Sequence, residues 1–199
     1  MKKARIAVLV SGGGTNLQAL FDAQGSVITS GNIELVISNN PNAYALERAA
    51  KAGIPGVVVS KKQLGSQDAF EEAIVAQLEE NRIDLIVLAG FMSILSEKFT
   101  GRYPKRILNV HPSLIPSFCG AGFYGLRVHE EALKYGVKVT GATVHFVNEI
   151  PDGGEIIFQK AVDIQEGDTP EILQRRVMEQ AEWKILPAAV EKVSKLIVQ

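Results

Sequence analysis

Three polar side chains in two distant segments of the sequence have types and spacing that could support catalysis. Asn109 and His111 lie in the stretch ILNVHPSLIP, where an apolar run gives way to a loop, and Asp152 lies in the turn-like stretch IPDGG. Because residues two apart in an extended strand point to the same side, the amide and the imidazole face one way. An imidazole oriented by a carboxylate beside a neutral donor suits acyl transfer. The three residues are therefore predicted to form a catalytic site.

Two simpler interpretations of these residues stay open. A histidine at a strand end can serve only to satisfy buried carbonyl groups, and an aspartate before two glycines can be an ordinary turn residue. Of the other histidines, His145 alternates with apolar neighbours and is predicted to be buried behind the site. His129 is predicted to be a surface or capping residue.

A second candidate site is the glycine-rich stretch SGGGTNLQAL, residues 11–20. Glycines after a first strand let backbone N–H groups point into a cavity, and the helix that follows adds its positive end, so a phosphate monoester fits there. A plain tight turn is the alternative. A dinucleotide is disfavoured, because Leu17 stands where a third glycine belongs and the second strand ends in Ser-Asn-Asn, which has no carboxylate for a ribose.

Alternating strand and helix patterns must position these loops. Short apolar runs without polar alternation predict strands that are covered on both faces, at 5–10, 34–38, 56–60, 85–89 and 106–110. Apolar spacing predicts a helix over 66–81, and segments 138–148 and 155–163 could pair as antiparallel strands. The predicted fold is α/β: a mostly parallel, doubly wound, Rossmann-like sheet with helices on both faces, mixed toward the C-terminal end.

The C-terminal part of the chain is predicted to be helical. Thr169 and Pro170 supply a cap and a first-turn proline. Pro187 is predicted to bend or interrupt this helix, because proline removes a backbone donor.

Composition narrows the possible partners and compartment. The chain has 199 residues, which favours one domain over 1–199, and its net charge of −1 gives no field that would favour nucleic acid or an anionic membrane. The apolar run at 6–10 is too short for a signal peptide or a membrane span. Cys119 is the only cysteine, so no internal disulfide or cysteine cage for a metal can form, and the histidines lack metal-ligand spacing. A cytoplasmic protein without a metal is expected.

Five motifs in one order carry a resemblance: SGGGTNLQAL, VLAGFMSILS, ILNVHPSLIP, GATVHFVNEIPDGG and AEWKILP. Together they resemble the phosphoribosylglycinamide formyltransferase family, the folate-dependent transformylases of purine synthesis, over nearly the whole chain. The resemblance implies transfer of formyl from 10-formyltetrahydrofolate, a co-substrate, to 5-phosphoribosylglycinamide. It implies small-molecule partners, and both a monomer and a homodimer are compatible with the sequence.

The same resemblance implies residue roles. Asn109, His111 and Asp152 fall on the catalytic trio. Gly14, Thr15 and Asn16 fall on the loop that binds the substrate phosphate, and Glu182 and Pro112 fall on substrate contacts. The half of the domain that binds the substrate phosphate is then about 1–100, and the half that holds the folate and the catalytic residues is about 101–199. The folate is expected to contact Met92, Ser93, Ile94, Leu95, Asn109, Val147, Asn148, Asp152 and Gln67.

The sequence departs from the family pattern in two places, and three other functions stand as alternatives to the one that the resemblance implies. Loop 117–127 is longer than in shorter family members, and Gln67 and Ser93 stand where some members have arginine, so contact with the folate tail is left open. The alternatives are a methionyl-tRNA formyltransferase, a formyltetrahydrofolate hydrolase and a non-catalytic nucleotide-binding module. We expect neither of the first two, since both carry a further domain for which 199 residues leave no room, and the third would leave the trio without a common role.

Overall fold

Strands and helices alternate through residues 2–199, the part of the chain that the computed structural model describes. The strands are β1 (Ala4–Val10), β2 (Gly31–Ser38), β3 (Gly56–Val58), β4 (Leu85–Leu88), β5 (Ile107–His111), β6 (Val139–Phe146) and β7 (Ile156–Asp163). The helices are α1 (Thr15–Ala23), α2 (Tyr44–Lys51), α3 (Lys61–Leu64), α4 (Gln67–Glu80), α5 (Glu97–Thr100), α6 (Leu126–Tyr135), α7 (Pro170–Val177) and α8 (Trp183–Val198). A π-helical turn, Met178–Glu182, joins α7 to α8.

The strands of residues 2–199 form one sheet in the order β3-β2-β1-β4-β5-β6-β7. The first five pair in parallel, and β6 and β7 add to the edge of β5 in antiparallel pairs. This topology confirms the predicted fold class, including the mixed C-terminal end. β1 lies between β2 and β4, so the order of the strands along the chain reverses at this point of the sheet. The loops after β1 and β4 therefore border the crevice where ligands of such sheets bind.

Alternate residues of β1 serve two separate apolar cores. Ile6, Val8 and Val10 face a core that is covered by α1 and α8, whereas Ala7 and Leu9 face a second core under α4. All five side chains are fully buried. This explains why the strand has no polar alternation: it has no face that meets water.

The helix ends follow the capping signals in the sequence. The Ser66 hydroxyl accepts from Ala69 N–H at the start of α4, and Thr169 accepts from Ile172 N–H at the start of α7. Pro187 lies inside α8 and does not interrupt it, so that part of the prediction is wrong, whereas a bend at this residue stays a prediction. The irregularity occurs a turn earlier, where Trp183 N–H donates to the Met178 carbonyl in the wide hydrogen bond of a π turn.

The prediction for His129 is also wrong. Gly125 occupies the position before α6, so His129 lies in the first turns of the helix, beside Val128 and one turn before Ala132 on its buried face. Its side chain is fully buried. Burial, together with the charge of nearby His111, lowers the pKa of His129 to about 4.

No helix within residues 2–199 has both the length and the apolar character that crossing a membrane requires.

A carboxylate on α8 holds the chain where it enters β2. Glu191 accepts hydrogen bonds from the backbone N–H groups of Thr29 and Ser30 at 2.8 and 2.9 Å, and from both hydroxyls at 2.9 and 3.0 Å. Lys195 lies 3.2 Å away. Burial alone would raise the pKa of Glu191, but the donors from Ser30 and Thr29 outweigh it and hold the pKa at about 2.

We expect Glu191→Gln to lower the free energy of unfolding at pH 7 by about 1–3 kcal/mol, because the variant turns an amide group toward backbone donors. A depressed carboxyl pKa stabilises the fold above its ordinary value, and that stabilisation disappears as the pH falls toward about 2. The difference between wild type and variant should therefore shrink below pH 4.5 in denaturant titrations followed by circular dichroism. Exposed Glu130→Gln on α6 is the control, and a difference that stays constant down to pH 2 contradicts the assignment.

Candidate active site

Strand pairing places the amide and the imidazole on one face of β5. In the antiparallel register Asn109 lies opposite His145 and His111 lies opposite Thr143, so these side chains project to the same side. The intervening Val110 points to the opposite core. The spacing of Asn109 and His111 thus has the geometry that the sequence predicted.

Asp152 reaches the same point from the turn between β6 and β7. Its Oδ2 lies 3.5 Å from His111 Nδ1, and its Oδ1 accepts from Asn109 Nδ2 at 3.4 Å. Oδ2 also accepts from Gly120 N–H at 2.9 Å, which joins the turn to the loop after β5. Residues 43 positions apart along the chain are thereby brought into one cluster.

The second nitrogen of His111 is occupied by the loop after β5. His111 Nε2 lies 2.8 Å from the Phe118 carbonyl, so this nitrogen carries a proton and donates. A favourable contact of Nδ1 with Asp152 then needs a second proton, which makes the ring an imidazolium. Burial is the largest influence and leaves the pKa of His111 below its ordinary value, although Asp152 and the Phe118 carbonyl act to raise it.

His145 fixes the orientation of Asn109. His145 Nδ1 donates to the Phe146 carbonyl at 2.8 Å, so Nε2 of the same ring accepts from Asn109 Nδ2 at 3.2 Å. The sequence predicted a buried group behind the site, and the 1% exposure of His145 confirms its burial. Its contact with Asn109 follows from the β5–β6 register, which the sequence pattern does not reveal.

The carboxylate of Asp152 remains charged although it is largely buried. Burial acts to raise its pKa, but the charge of His111 and the Gly120 N–H stabilise the anion and leave the pKa below its ordinary value. Its backbone has a φ of 57°, in the left-handed region where aspartate is better tolerated than most residues. The turn thus needs this residue type for its backbone as well as for its charge.

The glycine-rich loop after β1 leads directly into α1. Gly14 has a φ of 71°, and a Cβ at this position would lie 2.7 Å from the Cβ of Ala45, so only glycine fits. Arg48 of α2 donates to the Gly13 carbonyl at 2.8 Å and holds the loop in place. The first N–H groups of α1, beginning at Thr15, have no acceptor within the helix and can bind an anion.

Glu182 ends the π turn beneath this loop. Its carboxyl group accepts from Asn16 Nδ2 at 2.6 Å and is 4% exposed. Burial raises the pKa of Glu182 to about 7, and the Asn16 hydrogen bond only partly opposes this effect. Two of the residues predicted to bind the substrate are therefore in direct contact.

A cavity of about 120 Å³ extends from the Asn109–Asp152 cluster. Most of the predicted folate residues line it: Ser93, Ile94, Leu95, Asn109, Val147, Asn148 and Asp152. Two do not. Met92 is exposed next to the cavity, and Gln67 Nε2 donates to Glu71 at 2.6 Å and to the Ile94 carbonyl at 3.1 Å. The Gln67 amide is thus committed to the protein, and its predicted folate contact stays a prediction.

A larger cavity, of about 500 Å³, lies between α1 and the start of α8. It borders the phosphate loop at Thr15 and Arg48, but its lining contains none of the three predicted catalytic residues. Among residues 2–199 no group of three or more histidine, cysteine or acidic side chains is arranged to hold a metal ion.

The doubly wound sheet, its anion loop and the amide–imidazole–carboxylate cluster define an α/β protein with a ligand crevice at the strand ends. A family model described as formyl transferase matches residues 4–190. The chain belongs to the formyl transferase family, which confirms the resemblance that the motifs indicated.

Individual relatives refine this placement. The chain is 44% identical over 191 residues to phosphoribosylglycinamide formyltransferase of Haemophilus influenzae, covering 96% of this chain and 86% of that protein. It is 48% identical to the human trifunctional purine biosynthetic protein adenosine-3, of which it spans only 19%. Among solved structures, glycinamide ribonucleotide transformylase 1 from Symbiobacterium toebii superposes with a TM-score of 0.90 at 42% identity, covering 97% of this chain and 88% of that one.

We expect Asp152→Asn to lower the pKa of His111, because the variant keeps the shape of the side chain but removes the charge that acts against burial. NMR titration of the His111 ring in both proteins measures the shift. Glu149→Gln, which removes a charge from the same turn, is the matched control and should leave this pKa nearly unchanged. An equal or higher His111 pKa in Asp152→Asn would show that Asp152 acts only in the turn.

Proposed function

We propose that this protein transfers the formyl group of 10-formyltetrahydrofolate to the amine of 5-phosphoribosylglycinamide. The observation that carries the proposal is the meeting of Asn109, His111 and Asp152 beside a cavity. Similarity to a Haemophilus influenzae protein named phosphoribosylglycinamide formyltransferase supports this substrate pair over methionyl-tRNA formyltransferase or formyltetrahydrofolate hydrolase.

The reaction is a direct attack through a tetrahedral intermediate. The amine nitrogen forms a bond to the formyl carbon, negative charge develops on the formyl oxygen, and the bond from that carbon to N10 of the folate then breaks. The proton that the amine loses is balanced by the proton that N10 gains. Asn109 donates an amide hydrogen to the oxyanion, protonated His111 donates a second one, and Asp152 stabilises the imidazolium. No covalent bond to the enzyme is needed.

The Phe118 carbonyl identifies where an acceptor oxygen can meet His111. It lies 2.8 Å from Nε2, within the range required of an oxyanion acceptor. We propose that the formyl oxygen takes this position, so the loop after β5 must withdraw the carbonyl when substrates bind. The φ of 49° at Phe118 supports this, since backbone in the left-handed region is costly for a bulky residue.

The two substrates would approach this point from opposite sides. The phosphate is proposed to bind Gly14, Thr15 and Asn16, where the backbone donors of α1 begin. Glu182 and Pro112 are proposed to contact the rest of the glycinamide substrate.

The folate is proposed to lie along the loops that follow β4 and β6, the two strands on either side of β5. Its proposed contacts are Met92, Ser93, Ile94, Leu95, Asn109, Val147, Asn148 and Asp152, with Gln67 at the rim.

The broader biological setting is part of the same proposal. Residues 1–199 would act as one formyltransferase domain in the cytoplasm, as a monomer or a homodimer, with small-molecule partners and no nucleic acid, membrane or metal. A single cysteine and a net charge of −1 support this setting.

A turnover assay tests the proposed reaction. Consumption of 10-formyltetrahydrofolate should require 5-phosphoribosylglycinamide, and Asn109→Ala and His111→Ala should each slow turnover on the order of a hundredfold or more while the fold is retained. Glu130→Gln on the exposed side of α6 is the control. Consumption that is independent of the glycinamide substrate would indicate a hydrolase, and near-normal turnover in either alanine variant would rule out that residue's role.

The phosphate site is tested with a truncated substrate. We expect the glycinamide riboside without its phosphate to bind about a hundredfold more weakly than the nucleotide, the factor expected when two charge-assisted hydrogen bonds are lost. Isothermal titration calorimetry measures both affinities. Equal affinities would show that the glycine loop is only a turn between β1 and α1.

A further inference from the structure

One side chain joins the loop after β1 to the loop after β4. Ser11 follows β1 directly, and its N–H donates to the Gly90 carbonyl at 3.2 Å. Its hydroxyl Oγ accepts from Met92 N–H at 2.8 Å. The first loop is the proposed phosphate site, and the second supplies part of the proposed folate site. Ser11 therefore bonds across the crevice at two points.

The Ser11 hydroxyl retains its own hydrogen for a further bond. Within residues 2–199 it accepts from Met92 and donates to no protein group. Asn40 Nδ2 donates to the Ser11 carbonyl at 3.2 Å and fixes the backbone of this residue. Ser11 directly precedes the glycines that lead into α1, so its hydroxyl hydrogen is free to serve an oxygen of a phosphate bound at that loop.

The loop that Ser11 reaches has a second side-chain tie across the crevice, besides the contact of Ile94 with Gln67 of α4. Ser93 Oγ accepts from Asn39 Nδ2 at 2.8 Å, and Asn39 follows β2. Ser93, Ile94 and Leu95 line the smaller cavity. The tie through Asn39 ends at β2, whereas the tie through Ser11 ends in the phosphate loop. Only the contact through Ser11 can therefore change when a phosphate binds at that loop.

We propose that Ser11 is a positioning residue that couples the phosphate site to the folate site, an inference that rests on the proposed function. A hydroxyl that donates to a phosphate becomes a stronger acceptor, because hydrogen bonds in a chain polarise one another. A bound phosphate thus strengthens the bond from Met92 N–H and orders the loop that holds the folate. The coupling is reciprocal, so a bound folate strengthens phosphate binding by the same factor.

The test measures the dissociation constant of tetrahydrofolate by calorimetry, with and without saturating inorganic phosphate. In the wild-type protein we expect phosphate to tighten tetrahydrofolate binding about fivefold, the lower end of the coupling that is typical between two sites. The reverse titration, phosphate with and without tetrahydrofolate, should give the same factor. In Ser11→Ala the factor should fall to about one, and Ser11→Thr, which keeps a hydroxyl, should restore it.

Asn39→Ala is the matched control for a loss of loop order. This variant removes the other tie to the same loop, so tetrahydrofolate should bind more weakly. Its coupling factor should stay at about five, because the route through Ser11 is intact. A merely structural role of Ser11 would make the two variants alike: both would weaken binding, and both would keep the factor.

Two results would overturn the inference: a wild-type factor of one, or a full factor in Ser11→Ala. The first needs no variant, and Ser11→Gly, which also lacks the hydroxyl, replaces Ser11→Ala in the second measurement if Ser11→Ala does not fold. Failure of the proposed function is recognised separately, as a wild-type protein that binds neither ligand and transfers no formyl group. A protein that is active but uncoupled contradicts only the role of Ser11.

Discussion

The parallel pairing of β1 with both β2 and β4 is the constraint on which the candidate site depends. It brings the carboxyl ends of these strands to one edge of the sheet. The strand order reverses at β1, so the loops that follow β1 and β4 separate there and leave a crevice. Gly14 and Gly90 have φ values of 71° and 72°, so both loops at this edge turn through backbone that favours glycine. The anion loop and the apolar cavity are neighbours because their strands are neighbours.

Two carboxyl groups at this edge, one buried and one largely buried, show how local partners decide the charge of a side chain. Asp152 is surrounded by two imidazoles, the Asn109 amide and a backbone N–H, and its pKa falls below the ordinary value. Glu182 has one neutral partner, Asn16, and burial raises its pKa to about 7. Near neutral pH the first group is an anion, and the second can carry a proton at little cost.

Much of the architecture was predictable, because buried parallel strands have unbroken apolar runs and the helix caps have local signals. The end of β5 was predictable for the same reason, and with it the shared face of Asn109 and His111. What the sequence could not reveal depends on contacts between distant segments. The burial of His129 depends on how α6 packs, and the contact of the Phe118 carbonyl with His111 depends on the path of a loop. The catalytic and binding roles proposed for the site residues stay predictions until the variants are measured.

The π turn before α8 restricts which changes in length the C-terminal region can tolerate. In an α-helix each residue advances about 100° around the axis, so a single deletion within α7 or in the first turn of α8 would rotate one flank relative to the other by that angle. A deletion that converted the π turn to α geometry would keep both helices intact and nearly in phase, because a π turn holds one residue more than an α turn, but it would change the backbone that carries Glu182. Substitutions on the exposed side of this segment leave the rotation of α8 relative to α7 unchanged. The number of residues in α7 and in the first turn of α8 is therefore under stricter physical control than their identity.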